Sequence, residues 1–379
     1  MANYRKRGNS WQYEISYKKI NGDFTKIRKG GFKTKKAAKL AADEVESNLR
    51  HGFKADTEDM PLSDFFWEWF ELYKKGTIAR STENKYRDTH TNLKKLAEFD
   101  TVKTLDRSRY QEIINTYAKN HTKETVVNFN THLRAALQDA VLEGYIINDP
   151  TQRVVIKGEV KSKQKSDKFV SYEDLKKIIS YLVEFSDVNQ TSYIAILVGA
   201  ITGLRVGEIL GLTWDCVDLT NKKLTIEKSW DYKFHSGFST LKTENANRFV
   251  YINDETNNIL IQYKDRQDKL IKDGSIENKY NNVFYNQFYG VPTPAALNKH
   301  LRKICTKLAI HPIITMHGLR HTFASVLLFK GVSIFKVSKL LGHSNVSITQ
   351  EVYTHIIKEL DNLENDKIEQ TQKSLFEKD

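Results

Sequence analysis

The chain has 379 residues, two cysteines and a formal net charge of +12. This length exceeds what one hydrophobic core usually organises, and it predicts two or three domains. Hydrophobic residues at 40% and charged residues at 28% are ordinary globular usage, which excludes a largely disordered chain. The two cysteines, Cys216 and Cys305, are too few for a disulfide framework or a four-cysteine metal site. This low cysteine content favours a reducing, cytoplasmic compartment.

No segment has the pattern of a membrane span or a secretory signal. The longest apolar run, at residues 193–204, contains two glycines and Thr202. It is about a dozen residues long, whereas a transmembrane helix needs roughly 20. The basic N-terminus has no apolar stretch behind it. We therefore expect no membrane partner and predict that residues 193–204 form a buried core helix.

The positive charge is concentrated at the N-terminus. Residues 1–55 hold fourteen Lys and Arg against five Asp and Glu, which is +9 of the total +12. Such a block on a foldable segment is typical of a protein that binds a polyanion, because each phosphate contact releases a condensed counterion. A solvated basic tail is the alternative.

The first segment has the pattern of a small sheet followed by a helix. Apolar and polar residues alternate over 10–20, Asn-Gly at 21–22 predicts a hairpin turn, and 24–32 continues as strand. Residues 35–49 have the apolar spacing of a helix, with Thr34 as its N-cap. Basic and aromatic side chains on the strands would suit a groove of duplex DNA.

The next segment, from Leu62 to about Ile156, is predicted to be almost wholly helical. An acidic linker with one proline at 56–62 precedes it. After an aromatic face at 65–73, helices are predicted at 86–96, 108–117 and 125–143, and Asn-Asp-Pro in 148–150 ends the last of them. Residues 155–168 are polar, basic and without periodicity, and we interpret them as an exposed interdomain linker.

From Phe169 onward the pattern is mostly helical with interspersed strands. The clearest strands are predicted at 223–230 and 248–252, with a further short one at 283–285. The fold class is therefore multidomain α+β: a small sheet plus helix, an all-helical domain, and a mostly helical domain with a small antiparallel sheet.

Four motifs stand in order in this last region. They are TGLRVGEILGLTW at 202–214, HGLRHT at 317–322, LLGHS at 340–344 and YTH at 353–355. A single short motif recurs by chance, but four in order with comparable spacing are specific. Together they resemble the tyrosine recombinase (phage integrase) family over Phe169 to about Ile357, roughly half of the chain. The resemblance implies an enzyme that cuts and rejoins DNA through a 3′-phosphotyrosyl intermediate.

Two arginines are the candidate phosphate-binding groups. Attack on a phosphodiester builds negative charge on the nonbridging oxygens, so a catalyst needs fixed cations aimed at them. Guanidinium presents a rigid fork to phosphate and stays charged. Taken singly, Arg205 and Arg320 could each be ordinary ion-paired residues, but the resemblance implies that they are the two catalytic arginines. We interpret Glu208 as a structural partner of Arg205 rather than a proton carrier.

Histidines accompany both arginine motifs. His317 and Arg320 are three residues apart and share a helical face, so both can reach one phosphate. His317 and His321 also have the spacing of a metal pair, but the sequence offers no third ligand, and no metal is expected. The resemblance implies that His343 donates a hydrogen bond to a nonbridging oxygen, whereas a lone histidine there would more often be a cap or core residue.

The resemblance also implies a lysine that protonates the leaving 5′ oxygen. Lys242, in Leu-Lys-Thr between two predicted strands, is the preferred candidate, and Lys233 in the same connection is the alternative. An ammonium at a hairpin tip can enter a groove and deliver a proton to the leaving alkoxide.

Tyr353 is one of 18 tyrosines, and composition cannot select it. Its position ten residues after His343 resembles that of the family's nucleophile. A phosphotyrosyl ester retains the energy of the broken bond, so a DNA hydroxyl can reverse it. No ATP, metal ion or other cofactor is then required.

The resulting prediction has three domains. They are an arm-type DNA-binding domain at 1–55, a helical core-binding domain at 62–156, and a catalytic domain at 169–379 whose C-terminal tail docks on a neighbouring protomer. The resemblance implies double-stranded DNA with core and arm-type sites as partner, a homotetramer that exchanges strands through a four-way junction, and an accessory excision or DNA-bending factor. It favours integration and excision of a bacterial phage or conjugative element. A metal-free tyrosine topoisomerase and a noncatalytic DNA-binding regulator are the alternatives.

Overall fold

The computed structural model describes residues 2–18, 24–50, 60–162, 169–185, 189–234, 236–241 and 247–350. The chain divides into two compact units, Met1–Ser162 and Lys163–Asp379. Within the described residues, no helix is both long and apolar enough to cross a bilayer. The predicted boundaries at 1–55, 62–156 and 169–379 stay predictions.

The first unit begins with a three-stranded antiparallel sheet and one helix. Its elements are β1 (Asn3–Arg7), β2 (Ser10–Lys18), β3 (Phe24–Phe32) and α1 (Lys35–Arg50), with β2 in the middle of the sheet. The sequence predicted β2, β3 and α1, and the Thr34 hydroxyl accepts the Ala37 N–H at 3.1 Å as an N-cap does. It missed β1, whose residues are mostly charged and show no apolar alternation. The predicted Asn-Gly turn lies outside the described residues.

One face of this sheet is covered by α1. Tyr13 and Ile15 on β2 pack with Ala42 on α1 and are 2% exposed or less. Because side chains alternate across a strand, the even-numbered residues of β2 lie on the opposite face. The sheet therefore has one apolar face against the helix and one polar face turned away from it.

Four helices complete the first unit. They are α2 (Leu62–Tyr73), α3 (Arg80–Leu96), α4 (Arg107–Ala118) and α5 (Lys123–Leu142). Aromatic side chains of α2 form much of their core, and Trp69 donates from its indole nitrogen to Asp139 at 2.6 Å. Asp106 and Thr122 cap α4 and α5 through their side chains. The predicted helices are present, and α5 ends at Leu142, one residue before the predicted end at 143 and short of Asn-Asp-Pro.

The segment predicted to be an exposed linker starts later than expected. Residues 155–162 lie against α4 and α5: Gln111 exchanges two hydrogen bonds of 2.8 Å with the Val155 backbone, and the Glu159 N–H donates to Ala118. These hydrogen bonds are made by backbone groups of the segment, so hydrophobic patterning does not reveal them, although Ile156 of the same segment packs against the helical core. Residues 163–168 of the predicted linker lie outside the described residues.

The second unit is mostly helical with two small antiparallel sheets. Its helices are α6 (Tyr172–Glu184), α7 (Thr191–Thr202), α8 (Val206–Leu210), α9 (Asp254–Lys272), α10 (Pro294–Lys307), α11 (Met316–Phe329) and α12 (Ile334–Leu341). Its strands are β4 (Val217–Asp218), β5 (Lys223–Ile226), β6 (Lys228–Asp231), β7 (Gly237–Thr240) and β8 (Arg248–Tyr251). They form a sheet of order β4-β5-β8 and a hairpin of β6 and β7. The predicted fold class, helical with small antiparallel sheets, is confirmed.

The predicted core helix is α7, which is almost wholly buried. It packs in the main core of this unit together with residues of α6, α8, α10 and α11. Two strand predictions were wrong in detail. The single strand at 223–230 is split into β5 and β6. Residues 283–285 form no strand; the residues on either side of them make isolated bridges, Asn282 to Thr213 and Asn286 to Gly290.

His132 in the helical part of the first unit makes its stability depend on pH. Burial, reinforced by the positive charge of Lys85, lowers the pKa of His132 to about 4. Its ring stacks on Tyr86 at 4.0 Å between centroids, and its Nδ1 lies 2.8 Å from the Thr89 hydroxyl. The folded state therefore favours the neutral imidazole.

We expect acidification to destabilise this region between pH 6.5 and 4. In that window His132 becomes protonated in the unfolded chain but stays neutral in the folded chain. The free energy of unfolding therefore decreases as pH falls, by on the order of 2–3 kcal/mol. The loss can be measured by hydrogen exchange, as the difference between pH 7.5 and pH 5 in the opening free energy of amides in α3 and α5. A His132→Gln variant should lose that part of the pH dependence, and an unchanged pH dependence would contradict the assignment.

Candidate active site

The first motif places Arg205 between two helices. α7 ends at Gly203, whose φ of +63° is a conformation that a residue with a Cβ rarely adopts. A Cβ built there would lie 2.5 Å from the Phe323 ring. The chain then turns into α8, with Arg205 as its N-cap residue. The glycine thus lets α7 stop abruptly and fixes where Arg205 leaves the core.

Arg205 is held by one carboxylate and one carbonyl. Its guanidinium donates to Glu208 and to the Gly342 carbonyl, at 2.8 and 2.9 Å. Its backbone N–H donates to the second oxygen of Glu208 at 2.8 Å. The Arg205 side chain is 41% exposed, whereas that of Glu208 is 2% exposed. A fixed and accessible guanidinium is what phosphate binding needs, and Glu208 is its structural partner, as predicted.

Arg320 projects from the first turns of α11 into the same region. It donates to the carbonyl of Gly203 at 2.9 Å and to the carbonyl of Leu341 at 2.7 Å. The residue is only 3% exposed. Its acceptors therefore belong to the end of α7 and the end of α12, which places Arg320 beside Arg205.

Arg248 is a third guanidinium of this cluster, and the sequence analysis did not identify it. Its two terminal nitrogens donate to the two oxygens of Glu208 at 3.2 and 2.8 Å, and its Nε donates to the Leu340 carbonyl at 2.6 Å. A signal was present: Arg248 shares the inward side of its strand with Val250 and Ile252, which are buried. Strand alternation therefore predicts a buried arginine, which must have a partner.

The three guanidiniums share one organising element, the C-terminal end of α12. They bind three successive carbonyls, those of Leu340, Leu341 and Gly342. The last carbonyls of a helix lack intrahelical donors and carry the negative end of its dipole, so cations are stabilised there. We call Arg205, Arg248 and Arg320 the guanidinium cluster.

Glu208 is the carboxylate that binds Arg205 and Arg248 of the guanidinium cluster. Burial opposes its ionisation, but the hydrogen bond from Arg248 and the charges of Arg248 and Arg205 outweigh burial and hold the pKa of Glu208 below its usual value. Three guanidiniums against one carboxylate leave positive charge in excess. Such a site favours an anion over a cation.

His343 follows the same helix end. Gly342 adopts a φ of +66°, which ends α12 and turns the chain so that His343 can hydrogen-bond Thr349, with 2.7 Å between Nδ1 and the hydroxyl. Burial, reinforced by the charges of Arg320, Arg205 and other nearby cations, lowers the pKa of His343 to about 4. The imidazole is thus neutral at pH 7, and Thr349, which is fully buried, is a partner that the sequence analysis missed.

The other predicted histidine lies on the helix of Arg320. His317 is exposed, one turn from Arg320, and its ring contacts that of His321 edge to face at 4.4 Å between centroids. The structure thus brings Arg205, Arg320 and His343 together through the end of α12 and places His317 on the adjoining turn of α11. Lys242 and Tyr353 lie outside the described residues, so their positions stay predictions.

Within the part of the chain that the structure describes, one group of side chains has metal-ligand spacing. It consists of Asp215, Cys216 and Glu227. The Lys228 ammonium lies 3.4 Å from the Asp215 carboxylate and 3.5 Å from that of Glu227, so a cation already occupies the neighbourhood. Burial raises the pKa of Cys216, which opposes formation of the thiolate that a metal would need. We assign no metal to this group.

Removing Arg248 should destabilise the second unit strongly. Arg248→Met leaves Glu208 without its bidentate partner, and breaking a buried pair costs about 3–5 kcal/mol. The double variant Glu208→Gln/Arg248→Met should recover most of that stability, because no buried charge is orphaned and a glutamine oxygen can still accept the Arg205 N–H. Urea unfolding followed by tryptophan fluorescence measures both. A double variant no more stable than the single one would contradict the assignment.

Comparison with known proteins identifies the family. The phage integrase family profile matches residues 168–359, and an arm DNA-binding domain profile matches residues 3–49. The first match spans half of the chain, which therefore belongs to the phage integrase family. It is a tyrosine recombinase, an enzyme that binds DNA and breaks and rejoins its strands.

Several curated proteins are similar over nearly the whole chain. A tyrosine recombinase XerC-like protein of Caldanaerobacter subterraneus is 29% identical, covering 94% of this chain and 95% of that protein. The ICEBs1 integrase of Bacillus subtilis is 26% identical, covering 83% and 85%. The integrase of Staphylococcus phage L54a is 24% identical, covering 84% and 95%.

The fold is also that of a solved integrase. The Tn1549 transposon integrase, solved in complex with transposon right end DNA, matches with a TM-score of 0.63 at 19% identity, covering 78% of this chain and 95% of that one. At this identity the likeness establishes the fold.

Proposed function

We propose that the protein is the integrase of a mobile genetic element, which inserts and excises the element by site-specific strand exchange. The observation that carries the proposal is the guanidinium cluster at the end of α12, an anion site on the fold of a DNA recombinase. Two further findings support a mobile element over the topoisomerase and regulator alternatives. The chain also matches an arm DNA-binding domain, and the ICEBs1 and phage L54a integrases are among its relatives.

In the proposed reaction the scissile phosphate binds at the accessible edge of this site. Arg205 and Arg320 stabilise charge on the nonbridging oxygens, and His317 and His343 donate hydrogen bonds to them. In the proposal the Thr349 hydroxyl, 2.7 Å from Nδ1 of His343, is assigned as the donor of that hydrogen bond, because the ring proton then lies on Nε2, where a neutral imidazole can still act as a donor. Arg248 acts as a positioning residue through Glu208 and the end of α12.

Tyr353 and Lys242 carry the bond-making steps of the proposal. The Tyr353 hydroxyl gives up its proton to a base in the site or to solvent as its oxygen attacks phosphorus, the bond from phosphorus to the 5′ oxygen breaks, and a 3′-phosphotyrosyl ester forms. Lys242 transfers a proton to the departing 5′ oxygen. Attack by the 5′ hydroxyl of the partner strand then reverses each step and releases the tyrosine, with no metal ion required.

The assembly follows from the same proposal. The domain at 1–55 binds arm-type sites, while the domains at 62–156 and 169–379 bind the core site on which cutting occurs. Four protomers on two DNA sites exchange strands in pairs through a four-way junction, each C-terminal tail docking on a neighbour. An accessory excision or DNA-bending factor sets the direction.

The test is covalent trapping on DNA. A duplex that carries the element's crossover site and a nick beside the cleavage position loses the small fragment after cleavage, so the enzyme cannot religate. We expect a protein–DNA adduct that survives denaturant, forms in the presence of EDTA, and maps by mass spectrometry to Tyr353. Hydrolysis without an adduct, or attachment at another side chain, would overturn the proposal. Relaxation of supercoiled plasmid lacking such sites would favour the topoisomerase alternative.

A further inference from the structure

The sheet of the first unit has an open face with an ordered set of polar side chains. Directly opposite residues on antiparallel strands share a face, and Glu14 lies opposite Asn3 on one side and Arg28 on the other. In the same way Gln12 lies opposite Arg5, and Ser16 opposite Lys26. The central part of this face, on the side away from α1, comprises Asn3, Arg5, Gln12, Glu14, Ser16, Lys26 and Arg28, and we call it the open sheet face. Ser10 opposite Arg7 and Lys18 opposite Phe24 continue the same side of the sheet beyond its two ends.

Charge on the open sheet face is sorted by strand. The flanking strands carry the cations, with Arg5 on β1 and Lys26 and Arg28 on β3, whereas the middle strand carries Gln12, Glu14 and Ser16. Cations suit phosphates, which lie along the two rims of a groove. Amide, carboxylate and hydroxyl groups are the side chains that read base edges on its floor. The sorting thus matches a groove whose floor faces the middle strand.

Glu14 is the exception that needs an explanation. A carboxylate in the centre of a DNA-binding face repels phosphate, and this one also engages two cations: its oxygens accept from Lys26 at 2.8 Å and from Arg28 at 2.6 Å. These hydrogen bonds lower the pKa of Glu14 to about 2, so it is ionised at any physiological pH. For general affinity alone, an uncharged residue would serve better here.

We propose that Glu14 determines sequence specificity by accepting a hydrogen bond from a cytosine N4 amino group in the major groove of an arm-type site. This inference rests on the proposed binding of arm DNA by the first domain. An ionised carboxylate is an acceptor only, and each of its oxygens can accept two hydrogen bonds, so the pairs with Lys26 and Arg28 leave capacity for a base. Among base edges, the cytosine amino group is the donor that a carboxylate reads.

The ion pairs give Glu14 a second effect. Without DNA, Glu14 holds Lys26 and Arg28 over the middle strand. On a site without cytosine at the matching position, the carboxylate is left facing the groove without a donor from the bases, and no base contact offsets its repulsion of the phosphates. Glu14 therefore discriminates by penalising wrong sequences as well as by binding the right one.

The experiment is selection by the full-length protein from duplex DNA with a randomised segment, comparing wild type, Glu14→Gln and Glu44→Gln. Glu44 lies exposed on α1, away from the open sheet face, and provides the same charge change as a control. Glutamine reads adenine through N6 and N7. We expect Glu14→Gln to change one selected position from cytosine to adenine, with about a tenfold loss of preference for cytosine there.

A second readout separates base reading from a scaffolding role. Glu14→Gln should bind non-specific DNA at least as tightly as wild type, with a steeper salt dependence because Lys26 and Arg28 gain phosphate contacts. Unchanged selected sequences, or a uniform loss of affinity for all DNA together with a lower melting temperature, would overturn the proposal. A separate variant, Arg5→Gln/Arg28→Gln, tests whether the first domain binds arm DNA at all. If this variant bound DNA as tightly as wild type, the proposed arm-binding function itself would be wrong.

Discussion

A Tyr353→Phe variant is expected to bind crossover-site DNA as wild type does and to form no covalent adduct. Phenylalanine keeps the ring and removes the only atom that would bond to phosphorus, so the guanidinium cluster and its phosphate binding stay intact while chemistry stops. The loss should be complete, because no hydroxyl remains at that position. Gel-shift titration and denaturing electrophoresis of the nicked-duplex reaction measure the two properties separately.

Another tyrosine provides the control for this variant. Tyr251→Phe removes a hydroxyl from a side chain that is 70% exposed on the outward side of β8, in the same unit. It should leave both binding and adduct formation unchanged. Adduct formation by Tyr353→Phe at the wild-type rate would assign the nucleophile to a different residue.

Arg205→Lys should lower the rate of adduct formation by about 100- to 1000-fold with little change in DNA affinity. The guanidinium of Arg205 binds Glu208 and the Gly342 carbonyl at once while 41% of the side chain is exposed. An ammonium is a point donor without a planar fork, so it cannot keep both anchors and also present two parallel N–H groups to phosphate. Positive charge is conserved, which is why binding should survive.

The matched control is Arg302→Lys, the same change at an exposed position of α10. It should alter the single-turnover cleavage rate by less than about twofold, as exposed substitutions usually do. If Arg205→Lys cleaved as fast as this control, the fork of Arg205 would have no part in transition-state stabilisation. If both variants were equally slow, the effect would report on general electrostatics rather than on the guanidinium cluster.

Local patterns predicted those elements whose residues carry the signal themselves. Alternation of apolar and polar residues predicted β2, and Thr34 as a cap residue marked the start of α1. A long apolar run predicted α7. The motifs likewise singled out Arg205, Arg320 and His343, which the structure joins at one helix end. Each of these elements and motifs can be predicted from a few residues that are neighbours in the sequence.

The features that sequence analysis missed depend on contacts between distant residues. The partner of Arg248 at Leu340 is 92 positions away, and no local pattern encodes a bond from a side chain to a backbone carbonyl. β1 has almost no apolar alternation and is ordered by pairing with β2. Residues 155–162 are held against the helices by backbone hydrogen bonds, which the pattern of their side chains does not predict.

The use of main-chain oxygens at the end of α12 has an evolutionary consequence. Side-chain acceptors vanish when a codon changes, but the carbonyls of Leu340 and Leu341 persist whatever side chains stand there, and Gly342 is constrained by its positive φ rather than by its acceptor role. We therefore expect substitutions at the exposed positions of α12 to leave the guanidinium cluster in place, provided that the final turn of the helix stops at the same residue and that Val337 and Leu341 stay apolar in the core. An insertion or deletion that moves this stop would misplace three arginines at once, so we expect the length of the helix to be constrained more strongly than its exposed residues.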